Sequence, residues 1–154
     1  VMGATPSFPC YLPDRDVFLS PGTLFVNDCG YGSAYGDLPF APAAALLTRV
    51  VSCPGPACFT LDLGCRGIST DHARRGEIVG MEQTAEPLFQ SEEHWVFRMK
   101  PGHEAECPRV GDTLFVLPDH ICPTVALYSE ALVVQSGHLV GSWPITARSR
   151  RLTY

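Results

Sequence analysis

The sequence predicts a mainly β fold, an antiparallel β-barrel or sandwich of about eight short strands. Three observations predict it. Apolar residues recur in short alternating runs, the period that sends successive side chains to opposite faces of a strand. Glycine and proline, 14 of each in 154 residues, punctuate those runs as turns. Neither a long amphipathic helix nor a repeat of roughly 20–50 residues competes with this pattern.

Taken in order, residues 1–7 read as the end of a strand entering a small-residue turn, Gly3-Ala4-Thr5-Pro6-Ser7. Small residues let backbone N–H groups approach an anion, although an ordinary turn is the commoner use of such a phrase. Residues 11–20 carry Pro13 and several charges and read as a loop. Pro21-Gly22 is a turn before a short strand at 23–28. Residues 29–36, rich in glycine and tyrosine, suit an adaptable loop.

Residues 41–52 begin with alanines that suit a helix, but the β-branched residues that follow make 46–52 a strand. Residues 54–58 form a hairpin-like connection to a second strand at 59–64. The glycine-punctuated stretch 62–71 holds Asp62, Arg66, Ser69 and Asp71, which can build a site or satisfy one another within a loop. Residues 76–87 are polar, with at most one short strand, and 92–99 turn from charged to alternating. A polar loop at 102–108 leads to a strand at 111–117, which delivers His120 and Cys122. Residues 131–135 and 139–145 flank Ser136-Gly137-His138 as a hairpin. The basic tail 148–151 reads as solvated.

Composition excludes several classes. A net charge of −5 without a basic patch argues against nucleic acid and anionic membranes. The longest apolar stretch, 41–51, is interrupted by Thr48 and Arg49 and falls short of the about 20 residues that span a bilayer. The seven cysteines are odd in number and irregularly spaced, which fits free thiols in a reducing cytoplasm better than a disulfide framework.

His120 and Cys122 stand two residues apart in Leu117-Pro118-Asp119-His120-Ile121-Cys122-Pro123-Thr124. In an extended segment they point to one side, and imidazole and thiol are both preferred zinc ligands. Two ligands leave positions open for water or substrate, which suits catalysis better than structure. A packed cysteine beside a hydrogen-bonded histidine is the commoner outcome for such a pair taken alone. His72, His94, His103 and His138 read as surface or hydrogen-bonded histidines.

Several phrases together resemble one family. They are Gly3-Ala4-Thr5-Pro6-Ser7, Pro21-Gly22-Thr23-Leu24-Phe25-Val26-Asn27-Asp28, Leu61-Asp62-Leu63-Gly64, Ile68-Ser69-Thr70-Asp71, Ser91-Glu92-Glu93-His94, Val110-Gly111-Asp112 and the run from Pro118 to Leu127. In this order they resemble the C-terminal part of the pyridoxal-phosphate enzymes that act on D-amino acids. These are D-serine dehydratase, D-threo-3-hydroxyaspartate dehydratase and D-threonine aldolase, relatives of alanine racemase. The resemblance implies an N-terminal (β/α)8 barrel that carries the cofactor and a C-terminal β domain that carries a metal. It implies that residues 1–8 are the last strand and phosphate loop of that barrel and 9–154 the β domain, so the chain starting at Val1 reads as the remainder of a longer polypeptide.

By the same resemblance, His120 and Cys122 match the metal-ligand positions, and Gly3, Ala4 and Thr5 match the loop that holds the cofactor phosphate. A cysteine as second ligand leans toward zinc and the dehydratases; aldolases typically carry aspartate there. The implied reaction is D-serine to pyruvate and ammonia, with the metal easing departure of the β-hydroxyl. The Schiff-base lysine has no counterpart, since the one lysine, Lys100, does not match its position, and Arg66 stands where relatives often have lysine. No catalytic residue is therefore assigned within the chain, and alone it is expected to be inactive. The implied partners are a D-amino acid, the N-terminal barrel of the same protein and a second copy in a cytoplasmic homodimer. Alternatives are a retro-aldol enzyme of the D-threonine aldolase type and a non-catalytic β-barrel that binds a metal or ligand.

Overall fold

The structure is a computed structural model that describes residues 1–149 and 151–152. Arg150, within the tail expected to be solvated, lies outside the described residues. The fold is mainly β, with an antiparallel sheet curled into a half-barrel.

The chain opens with β1 (Met2–Gly3), a 3-10 turn at Thr5–Ser7, the short helix α1 (Phe8–Tyr11) and β2 (Leu19–Ser20), which pairs parallel with β1. The strand expected at 23–28 is instead a 3-10 turn over Thr23–Phe25. Buried Asn27 explains the difference: its φ of 47° is left-handed, outside the range of a strand, and its amide donates to Phe40 O at 2.8 Å. The expected loop at 29–36 is a helix, α2 (Cys29–Ala34), despite its two glycines.

Six strands then build the main sheet: β3 (Leu46–Gly55), β4 (Cys58–Leu61), β5 (Gly76–Ile78), β6 (Ala85–Gln90), β7 (Trp95–Met99) and β8 (Thr113–Pro118). Their spatial order is β5-β8-β3-β4-β7-β6, antiparallel throughout. The stretch 76–87 thus holds β5 and the start of β6, more strand than its polarity predicts. Helix α3 (Ile121–Val125) follows β8, and the hairpin β9 (Glu130–Gln135) and β10 (His138–Pro144) comes next, before a 3-10 turn at Thr146–Arg148. The hairpin turns through Ser136 and Gly137, both at positive φ, as its sequence predicts.

Alternation sets the core. Trp95, Phe97 and Met99 of β7 face inward together, and Phe97 stacks on its register partner Phe59 at 5.5 Å between ring centroids. Val50, Leu61, Ile78 and Val116 complete this layer from neighbouring strands, joined by Leu63 and Ile68 from the loop after β4. Ile68 is fully buried, so the loop that carries Ser69, Asp71 and His72 is anchored from beneath.

Candidate metal centre

β8 ends at Pro118, and the chain turns through Asp119 and His120 into α3. His120 is the extended N-cap residue of that helix, and Cys122 lies within its first turn. The pair is therefore not on one extended segment, contrary to the geometry expected from its spacing. Pro123 explains the change, because the first turn of a helix tolerates a residue without an N–H. The Cys122 Sγ lies 3.1 Å from Thr23 Oγ1 on the 3-10 turn.

A single carboxylate fixes the entry to both helices. Buried Asp28 accepts the Tyr31 N–H of α2 at 2.9 Å on one oxygen and the Ile121 N–H of α3 at 3.1 Å on the other. Gly30 lets the two helices approach: a Cβ there would stand 2.1 Å from Asp119 O. Thr124 joins α3 to the loop after β4, donating to His120 O at 2.8 Å and accepting the Ser69 N–H at 3.1 Å.

That loop supplies the remaining groups. Ser69 donates to Asp71, and the other oxygen of Asp71 lies 2.5 Å from His120 Nδ1. The Ser69 hydroxyl, ahead of His120, holds the Asp71 carboxyl down at about 2. His72 Nδ1 lies 2.7 Å from Asp119 Oδ2, and this hydrogen bond raises the imidazole pKa. Arg74 Nε donates to Asp119 Oδ1 at 2.5 Å, while its Nη2 donates to Cys29 O at 2.9 Å and Ser33 Oγ at 3.0 Å. The His72 and His120 rings stack 5.0 Å apart at an interplanar angle of 19°. One ligand atom from each of Asp71, His72 and His120 falls within 4.8 Å of the others.

This donor set fits a borderline divalent ion. An imidazole whose Nδ1 is held by a carboxylate keeps its Nε2 lone pair for a metal, the second-shell arrangement common to metal-bound histidines. Cys122 stands outside the three-residue group. A shallow cavity of about 300 Å³ lies between the Asp71 loop and α3, lined by Cys65, Ser69, Thr70, Asp71, Pro123 and Leu127 among others. The sequence alone supports no more for His72 than a surface or hydrogen-bonded histidine. The signal that could have marked it is a pair of Asp-His dipeptides, Asp71-His72 and Asp119-His120.

Gly3, Ala4 and Thr5 lie apart in sequence, at the end of β1 and the start of the following 3-10 turn. Ala4 adopts a φ of 72°, and Ser7 Oγ lies 2.9 Å from Gly3 O and 3.1 Å from Ala4 O. The Thr5 hydroxyl is buried with no hydrogen-bond partner among the described residues, an orphan donor that fits an oxyanion acceptor. All seven cysteines are free, and among the described residues no helix is long and apolar enough to cross a membrane.

Comparison with known proteins agrees with this architecture. The family described as "Putative serine dehydratase domain" matches residues 43–134. A D-threonine aldolase of Arthrobacter is 33% identical over 135 residues, 84% of this chain and 34% of the aldolase. An uncharacterized protein of Mycobacterium tuberculosis is 26% identical over 119 residues, 76% of this chain and 89% of that protein. The crystal structure of D-threonine aldolase from Filomicrobium marinum matches with a TM-score of 0.81 at 23% identity, over 95% of this chain and 40% of that one. D-threo-3-hydroxyaspartate dehydratase from Delftia matches with a TM-score of 0.71 at 16% identity, over 92% of this chain and 42% of that one. The chain thus spans less than half the length of these named enzymes. It belongs to the serine dehydratase domain family, with the fold of the C-terminal β domain of alanine racemase-related enzymes such as D-threonine aldolase.

Proposed function

We propose that the chain is the metal-binding β domain of a pyridoxal-phosphate-dependent lyase that converts D-serine to pyruvate and ammonia. The observation that carries this reading is His120, fixed at the start of α3 with its Nδ1 against Asp71 and its Nε2 without a hydrogen-bond partner among the described residues. When bound, pyridoxal phosphate stabilises the negative charge that develops at Cα, and a divalent ion acts as a Lewis acid toward the β-hydroxyl. His120 and Cys122 hold the ion, and Asp71 sets the tautomer of His120. Gly3, Ala4 and Thr5 hold the cofactor phosphate through backbone N–H groups and the unpartnered Thr5 hydroxyl. A thiolate ligand favours zinc over the oxygen-preferring ions.

In this reading residues 1–8 close an N-terminal barrel that contributes the Schiff-base lysine, and 9–154 form the β domain. A second copy completes a homodimer, and the free cysteines suit a cytoplasmic setting. A retro-aldol reaction is the second reading, favoured by the 33% identity to the Arthrobacter D-threonine aldolase. A non-catalytic metal-binding domain is the third, favoured by the Mycobacterium protein, 89% of which this chain matches.

The test is product analysis on the polypeptide that carries this domain with its barrel. It is incubated with D-serine and with D-threonine, with and without a chelator. Pyruvate that disappears with chelation and returns with zinc supports the dehydratase. Glycine from D-threonine moves the assignment to the aldolase, and no product from either leaves the binding domain. His120→Ala and Cys122→Ala each abolish pyruvate formation; undiminished pyruvate from either removes that residue from the site.

A further inference from the structure

The two Asp-His dipeptides exchange partners. Asp71 engages His120 rather than its neighbour His72, and Asp119 engages His72 rather than its neighbour His120. Both carboxylates take the Nδ1 of their histidine, at 2.5 and 2.7 Å. Among the described residues, neither Nε2 has a hydrogen-bond partner. Two stacked imidazoles therefore present the same free atom, each backed by its own carboxylate.

We propose that His72 is a second imidazole ligand of the divalent ion, beside His120, with Asp119 as the residue that positions it. The inference rests on the metal-binding reading above and adds a ligand that the His120 and Cys122 pair does not contain. Asp119 is well placed for the role. Its side chain is only 9% exposed, its other oxygen is held by Arg74, and its amide N–H donates to Arg75 O at 2.8 Å. Arg74 is in turn tied to α2 through Cys29 and Ser33, so His72 is braced from the same helix pair that sets His120. With Nδ1 of His120 already occupied by Asp71, that carboxylate orients rather than coordinates. In the reading above the Cys122 thiolate, which falls outside the group of Asp71, His72 and His120, swings in as the third protein ligand, and three ligands leave one open position, the donor number of catalytic zinc sites. The same soft-to-borderline set disfavours magnesium and calcium.

The experiment measures zinc affinity by competition with a chromogenic chelator on the unmodified chain, His72→Asn and His120→Asn. Asparagine keeps an N–H donor near the Nδ1 position, so each carboxylate retains a partner while the metal-binding nitrogen is lost. Thermal unfolding of the metal-free forms reports on the fold. Both variants are expected to bind zinc about tenfold or more weakly, with metal-free melting close to that of the unmodified chain. X-ray absorption on the zinc-loaded unmodified chain is expected to count two imidazoles and one sulfur. His72→Asn binding zinc as the unmodified chain does, while His120→Asn does not, overturns the role of His72 and leaves the metal site standing. A single imidazole in the absorption data overturns it as well, whatever the variants do to the fold. An unmodified chain that binds no zinc removes the inference and the reading beneath it together.

Discussion

Asp28 carries two helix starts on one carboxylate, and the arrangement around His120 depends on it. Replacing it by alanine leaves two N–H groups unpaired, that of Ile121 buried and that of Tyr31 partly buried. Asp28→Ala is expected to lower stability by about 2–3 kcal/mol in urea denaturation, and Asp28→Asn by less, since one amide oxygen can still accept. The cysteines give a second residue-scale test. Burial pushes the Cys29 thiol up to about 12, outweighing the nearby Arg74 cation, so it stays protonated near neutral pH. Cys10, Cys53, Cys65 and Cys122 are exposed. Iodoacetamide near pH 8 followed by mass spectrometry should label these four and leave Cys29 unmodified in the folded chain. At this scale the sequence displayed both Asp-His dipeptides but not their exchange. That exchange depends on the loop after β4 lying over α3, which a linear reading does not contain. His120 itself was legible because it lies inside a phrase with a matching ligand position, whereas His72 lies just past the phrase Ile68-Ser69-Thr70-Asp71, which marks no ligand.

Elements built on strict alternation were readable, and those built on tertiary support were not. Trp95, Phe97 and Met99 announce β7 by their period of two, and Ser136-Gly137 announces the last hairpin. Helix α2 could not be announced, since its glycines are poor helix formers. It exists because Asp28 caps it, Arg74 binds Cys29 O and Ser33 Oγ, and Gly30 fits against Asp119. Gly30→Ala is therefore expected to disturb α2 and α3 together and to weaken zinc binding, even though alanine is the better helix former; isothermal titration with zinc checks this. The β3–β4 pair supplies a pH test. Burial pushes the Asp62 carboxyl upward, but the Thr48 hydroxyl and the Arg49 amide, each at 2.7 Å, outweigh it and lower its pKa. A carboxyl lowered in the folded state stabilises the fold above its unfolded value, about 4, and that contribution is lost as pH falls through the folded value. Thermal melts of Asp62→Asn should lie below those of the unmodified chain at pH 7, and the gap should close as pH falls below the unfolded value and through the lowered folded one.

For the whole molecule, the decisive feature is that the sheet covers its core from one side only. Val50, Phe59, Leu61 and Val116 are fully buried, while Leu47 and its register partner Phe115 stay exposed on the other face. The hairpin β9–β10 extends this exposure, with Leu132, Val134, Leu139, Val140 and Trp143 all more than half open to solvent. So many large apolar side chains on one chain exceed the scattered exposure normal for a self-sufficient surface, and such surfaces usually receive a partner. Sequence alternation could not reveal this, because a strand whose second face meets a partner reads like any other apolar strand. The two tryptophans make the state of the hairpin measurable. Trp95 is 3% exposed and Trp143 is 65% exposed. In the dilute chain, acrylamide should quench two emission components, and Trp143→Phe should remove the strongly quenched one. Raising the concentration of the unmodified chain should then protect Trp143, while leaving Trp95 unchanged, if the hairpin face is where a second copy docks. A quenching profile that stays constant as sedimentation shows dimers forming would move the dimer contact to another face and leave the hairpin for a different partner.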